Sequence, residues 1–258
     1  MPLTYDRYLK LDELLALQQP LSDGPEHDEM LFIVIHQVYE LWFKQLLHEV
    51  DLLRRALAGN DEPTVKAVFK RVLTILKVAV AQVDVLETMT PVSFVSFRAR
   101  LKAASGFQSV QFRELEIALG HRLSGIAAHY SAPQAERLRQ RLREPGLYDA
   151  FLRFLAARGH PVPRAALDRD PGLPPLEDEE VRRLLVEVYR TDPSTRDVCE
   201  RLVDLDEGIQ EWRYRHVKMV ERTIGTRRGT GGSAGAEYLR TTLFRPLFPD
   251  LWTIRGEL

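Results

Sequence analysis

Two histidines of this chain sit inside apolar helical stripes, where the spacing otherwise supplies core. In IQEWRYRHVKMVERTIGTRRGTGGSAG, Ile209, Trp212, His216 and Met219 fall three and four apart and share one helix face. Arg213, Arg215, Lys218 and Arg222 flank that face, and Gly225, Gly229, Gly231, Gly232 and Gly235 follow it. One ligating nitrogen in an apolar wall, with a cationic rim and a pliable flap, suits a haem. The imidazole would take the iron, the wall the porphyrin, and the arginines the propionates. The same residues also read as a core histidine followed by a surface loop. The second stripe is Phe32, His36, Tyr39 and Phe43, an imidazole among aromatic rings. Such a group either orients one hydrogen-bonding atom of a ligand or bonds a carbonyl within the core.

Phe94 and Arg98 in PVSFVSFRARL are four apart and share a face. A guanidinium fork matches a carboxylate, although an arginine shielding aromatics at the surface has the same spacing. SGFQS, with Ser105 and Gly106, reads as a helix start whose N–H groups could take an anion such as a propionate, or as a simple cap. Other chemistries find less support. Neither His36 nor His48 lies in HExxH, and no Glu-x-x-His pattern suggests a di-iron bundle. His27 reads as solvent-facing, and His121, His129 and His160 fall near breaks. Glu40 and Glu49 fit a solvated face. The glycine loop lacks Gly-Lys-Ser/Thr and follows a helix, so it is neither a P-loop nor a dinucleotide fingerprint. Cys199 lies on a charged helix without the setting of a haem thiolate, and as the only cysteine it precludes an internal disulfide.

Helical periodicity must position these groups. The pattern predicts a short amphipathic stretch from Tyr8 to Gln18 and long helices over 26–57 and 62–88. A shorter helix opens at Pro91, another ends at Gly120, and two more run over 133–142 and 146–157. Residues 158–177 form a proline-rich surface connection. Helices then start near Asp178 and Ser194, the latter carrying His216, and one more is expected between Gly235 and Pro246. LFIVI, residues 31–35, is strand-like by residue type, but its neighbours continue a helical period. The expectation is an all-α fold: one helical-bundle domain over 1–258. With 258 residues, 45% hydrophobic and 28% charged, the chain can bury one large core. A net charge of −1 gives no pull toward nucleic acid or an anionic membrane. MPLTYDRYLK lacks the apolar core of a signal peptide, and no run reaches membrane-span length, which fits a cytoplasmic protein.

Six segments carry a family resemblance: LTYDRYLKLDELLALQQPLS, HDEMLFIVIHQVYELWFKQLLHE, VLETMTPVSFVSFRARL, SGFQSVQFRELE, WRYRHVKMVERTIGTRRGTGGSAGAEYL and LFPDLW. In order, and spread from residue 3 to residue 252, they resemble the tryptophan 2,3-dioxygenases. The resemblance implies an all-α homotetramer with one haem b per subunit. It also implies oxidation of L-tryptophan by O₂ to N-formylkynurenine, the first step of the kynurenine route. By motif match, His216 corresponds to the axial iron ligand and His36 to the distal histidine that hydrogen-bonds the indole N–H. Phe32 would pack on the indole, and Arg98 would bind the carboxylate. Thr230 would meet the ammonium and carboxylate as its loop closes. Tyr5, Tyr8 and Leu9 match residues of an N-terminal arm, here 1–20, lent to the neighbouring subunit. Phe94 stands where some members carry a tyrosine that helps hold the carboxylate, so Arg98 and Thr230 would carry more of that task. A non-catalytic haem carrier using His216 alone, and a structural helical oligomer with both histidines in its core, are the competing readings.

Overall fold

Capping residues mark where the long helices begin. The computed structural model describes residues 2–24, 26–122, 125, 130–230 and 235–258. Helix α1 spans Tyr5–Leu9, α2 Leu11–Leu15, α3 Asp28–Ala58, α4 Glu62–Leu86 and α5 Pro91–Arg98. Then follow α6 Val110–Leu119, α7 Ala132–Arg143, α8 Leu147–Ala157, α9 Arg164–Leu167 and α10 Glu179–Thr191. The last are α11 Pro193–Ile224, α12 Ala236–Arg240 and α13 Pro249–Thr253, and no strand occurs among the described residues. Asp61 caps α4 by accepting the Thr64 N–H at 3.3 Å, and Thr90 caps α5 by accepting that of Ser93 at 3.1 Å. Asp192 caps α11 through the N–H groups of Ser194 and Thr195, at 3.1 and 3.0 Å. Each of these three helices has proline in its first turn, where no donor is lost. LFIVI lies within α3, as its flanking periodicity predicts.

Helix α4 packs against both α3 and α11, and α6 and α8 cover the other sides of α3. One core joins them, with Leu53, Leu57, Phe69, Phe151, Phe154 and Phe248 fully buried. Gly208 lets α11 approach α4 closely: a Cβ there would lie 2.6 Å from a Leu76 methyl. Three boundaries differ from the sequence reading. The amphipathic stretch near the N-terminus breaks into α1 and α2 at Lys10, whose φ is +52°. The proline-rich connection contains the single-turn α9, and Arg169 pins it to Asp149 at 2.5 Å. The C-terminal tail holds α13 beyond Pro246 in addition to α12, because Asp206 on α11 accepts the Leu247, Phe248 and Trp252 N–H groups and draws that segment in.

Candidate active site

Helices α3, α5 and α11 and the turn at 105–108 surround one cavity. It encloses about 1550 Å³ free of protein atoms, its open mouth included, and its lining is mostly apolar. Its wall includes Phe32, His36, Phe94, Arg98, Ser105, Gly106, His216 and Thr230, so residues almost 200 positions apart meet there.

On the α3 side, His36 Nδ1 lies 2.7 Å from the Phe32 carbonyl oxygen. A carbonyl only accepts, so Nδ1 carries the proton and Nε2 keeps a lone pair. Burial holds this imidazole below the usual range, partly offset by the Phe32 carbonyl and Glu40, which keeps the ring neutral. The Phe32 ring lies 4.1 Å from the His36 ring and 5.8 Å from that of Phe94, centroid to centroid. An apolar aromatic wall therefore carries one hydrogen-bond acceptor.

On the α11 side, the His216 ring stacks on Trp212, with centroids 5.1 Å apart and planes 9° from parallel. Burial, and then the fields of His36 and Arg113, hold the His216 imidazole down at about 4. It is neutral at pH 7, and no hydrogen bond to a described residue occupies either ring nitrogen. Among the described residues no group of three metal-ligating side chains occurs. A haem iron needs only one protein ligand, so a single free imidazole in an apolar wall is compatible with such a group.

The cationic rim is not where the sequence placed it. Arg215 turns to Asp84 of α4 and to Glu87 at its C-cap, Arg222 to Glu87, and Lys218 to Glu221. Of those four cations only Arg213 lines the cavity. It is joined there by Arg113 of α6, which the sequence reading passed over although it lies in a quoted motif. An arginine and a glutamate three apart on a helix of otherwise apolar periodicity, Arg113 and Glu116, were the available signal. The SGFQS turn also differs in detail. Ser105 Oγ accepts the Phe107 N–H at 3.3 Å, and the Ser105 N–H goes to Gln108 Oε1 at 3.3 Å. Those donors serve the turn's own cap, which leaves Arg113 and Arg213 as the strongest anion-binding groups at that end.

At the mouth, Arg98 Nη2 donates to the Arg228 carbonyl at 2.6 Å, and its Nε is buried without a partner among the described residues. The Thr230 hydroxyl donates to the Ala104 carbonyl. These contacts fold the segment after α11 over the cavity. Gly231 and Gly232 of the glycine loop lie outside the described residues, as does His129. Glu49 is buried rather than solvated, accepting from Gln45 and paired with Arg71 at 2.8 Å. Glu40 accepts from Gln111 at 2.8 Å. Cys199 is buried in the core, and burial pushes its thiol up, so it is not a thiolate. Tyr5, Tyr8 and Leu9 do not reach the cavity of their own chain; Tyr5 and Tyr8 are 75% and 72% exposed.

The family model described as tryptophan 2,3-dioxygenase matches residues 1–173 and 178–258. The chain belongs to this family. It is 57% identical to the tryptophan 2,3-dioxygenase of Herpetosiphon aurantiacus over 257 residues, which is 99% of this chain and 98% of that protein. It is 58% identical to that of Anaeromyxobacter dehalogenans, over 99% of this chain and 96% of the relative. The Caulobacter vibrioides tryptophan 2,3-dioxygenase is 48% identical over 99% and 98% of the two chains. Tryptophan 2,3-dioxygenases are haem-dependent oxidoreductases, in keeping with a cavity that offers one free imidazole in an apolar wall.

Proposed function

We infer that this chain is a tryptophan 2,3-dioxygenase that inserts both atoms of O₂ across the indole C2–C3 bond of L-tryptophan, giving N-formylkynurenine. The reading rests above all on two neutral histidines lining one apolar cavity, His36 bonded to a carbonyl and His216 without a hydrogen bond to a described residue, with an arginine at the mouth. A carrier that used His216 alone would need neither His36 in a fixed tautomer nor Arg98 with a buried unpartnered Nε.

Haem b, one per subunit, would be held by His216, with one propionate toward Arg113 and Arg213 and the other toward the Ser105–Gly106 turn. When bound, it supplies activation of O₂. The chain's own residues bind and orient the amino acid. His36 Nε2 accepts the indole N–H, because Nδ1 is already committed to Phe32. Phe32 offers its ring face, and Phe94 closes the aromatic wall. Arg98 takes the substrate carboxylate, exchanging the Arg228 carbonyl for a charged partner of greater strength. Thr230 assists at the same end and, with Phe94 lacking a hydroxyl, is the nearby hydroxyl that the resemblance assigns to this end. Closure of that segment over bound substrate would exclude water, which strengthens each of these contacts. His36 is assigned to holding the indole, because this route does not demand a base that removes the N–H proton.

Tyr5, Tyr8 and Leu9 would complete the pocket of a neighbouring subunit in a homotetramer. Residues 17–23 are tied to their own chain through Gln37, Glu29 and Arg100, whereas Leu3, Tyr5, Tyr8 and Leu15 are exposed. Tyrosines suit such a half-wet pocket edge. A cytoplasmic location goes with this reading, and no described helix is long and apolar enough to cross a membrane. The test is haem uptake by the purified chain, followed by its visible spectrum. The wild-type chain and His36→Ala should bind haem with a histidine-ligated spectrum. His216→Ala should lose haem or hold it loosely. Retention by the second variant with loss by the first would reverse the assignment.

A further inference from the structure

The cofactor end of the cavity holds an unbalanced buried charge. Arg113 and Arg213 are 6% and 3% exposed, and Glu116, at 3%, lies with them. Arg113 Nη1 donates to Glu116 Oε2, and Arg213 Nη2 donates to Glu116 Oε1 at 2.9 Å. Each carboxylate oxygen thus grips a different guanidinium. Arg213 Nη1 reaches the Thr242 carbonyl at 3.3 Å, a neutral partner, and Arg213 Nε is buried without one. Two guanidinium charges therefore share a single carboxylate. Burying an excess positive charge is costly unless a ligand neutralises it.

We propose that Glu116 is a positioning residue for the haem, a role resting on the haem reading above. It cancels one of the two arginine charges and fixes both forks at the cavity wall, so that the wall presents one carboxylate's worth of charge. Arg113 is braced from the other side as well, its guanidinium lying 5.3 Å from the Phe107 ring centroid and 5.7 Å from that of Phe112. With its plane set by these contacts and by Glu116, one porphyrin carboxylate meets an arginine that needs no reorganisation. The second carboxylate gains no comparable partner from this cluster.

The experiment compares binding of ferric protoporphyrin IX with that of its monomethyl and dimethyl esters by the full-length chain. In the wild-type chain the diacid and the monoesters should bind alike, because either carboxylate can be turned to the arginines. The dimethyl ester should bind at least about tenfold more weakly. Equal steps of loss at each esterification would overturn the charge count, and so would equal affinity for all three. Glu116→Asp keeps the charge but shortens its reach by one methylene. It should cut the preference for diacid over diester at least about fivefold, with diester affinity and the ligation spectrum unchanged. An unchanged preference, or equal loss for both porphyrins, would mean that Glu116 only supports the fold. If the variant fails to fold, the wild-type ester series still decides the charge count on which the role depends. Absence of a histidine-ligated spectrum with every porphyrin would instead overturn the haem reading itself.

Discussion

Replacing Arg98 by alanine separates two roles that its surroundings allow. The guanidinium holds the Arg228 carbonyl at 2.6 Å, so it could serve as a strut for the folded segment. Its buried, unpartnered Nε marks it equally as a carboxylate site awaiting a ligand. Loss of the strut alone removes one charge-assisted hydrogen bond at a half-buried position, worth about 1–3 kcal/mol at most. That penalty would fall on every substrate. Loss of a desolvated guanidinium–carboxylate pair costs about 2–5 kcal/mol, or roughly 30-fold to several thousand-fold in kcat/KM. That penalty falls only on substrates bearing a carboxylate. The assay is kcat/KM for L-tryptophan and for tryptamine, which lacks the carboxylate, in wild-type and Arg98→Ala enzyme. The wild-type enzyme should favour tryptophan by at least about 30-fold, and the variant should show little preference. If Arg98→Ala slows both substrates by the same factor, the residue is a strut and its assignment to the carboxylate is refuted.

Three further outcomes are expected. Because burial lowers the His36 imidazole from 6.5, its neutral acceptor form persists below that pH, and kcat/KM should keep its plateau until the pH falls under 6.5; an acid limb at or above 6.5 would contradict the assignment. The haem-free chain should lose stability as pH drops below 6.5, since the unfolded chain protonates His216 first; this loss should level off below about 4, amount to on the order of 3 kcal/mol, and shrink in His216→Leu. Co-refolding an Arg98→Ala chain with a chain lacking residues 2–10 should restore activity in hybrid oligomers, in sites pairing an intact pocket with an intact neighbouring arm; full activity of the deleted chain alone would remove the arm from the site.

The helices were legible because their signals are local. Asp61-Glu62-Pro63, Thr90-Pro91 and Asp192-Pro193 carry cap and first-turn proline together, and the boundaries of α4, α5 and α11 follow them closely. His36 and His216 stood out because a titratable ring at a core position breaks an otherwise apolar period. The direction of the arginines was not legible. Arg215 and Arg222 lie within a turn or two of His216 in sequence, yet Asp84 of α4 and Glu87 at its C-cap capture them. Which carboxylate reaches which guanidinium depends on the packing of α11 against α4, a tertiary fact that periodicity does not encode. Arg113 was missed for the converse reason. It lies about 100 residues from His216, and only the approach of α6 to α11 through Glu116 and Arg213 joins them. Asp206 similarly organises the C-terminal tail from 41 to 46 residues away, so α13 could not be read from its own short sequence.

The most direct measurement is turnover of L-tryptophan by the haem-loaded, ferrous enzyme under ¹⁸O₂, with mass analysis of freshly formed product. Cleavage of the indole C2–C3 bond should give N-formylkynurenine carrying two ¹⁸O atoms, one in the new ketone and one in the formyl group. Unchanged tryptophan, or a product carrying a single labelled oxygen, would contradict the dioxygenase assignment.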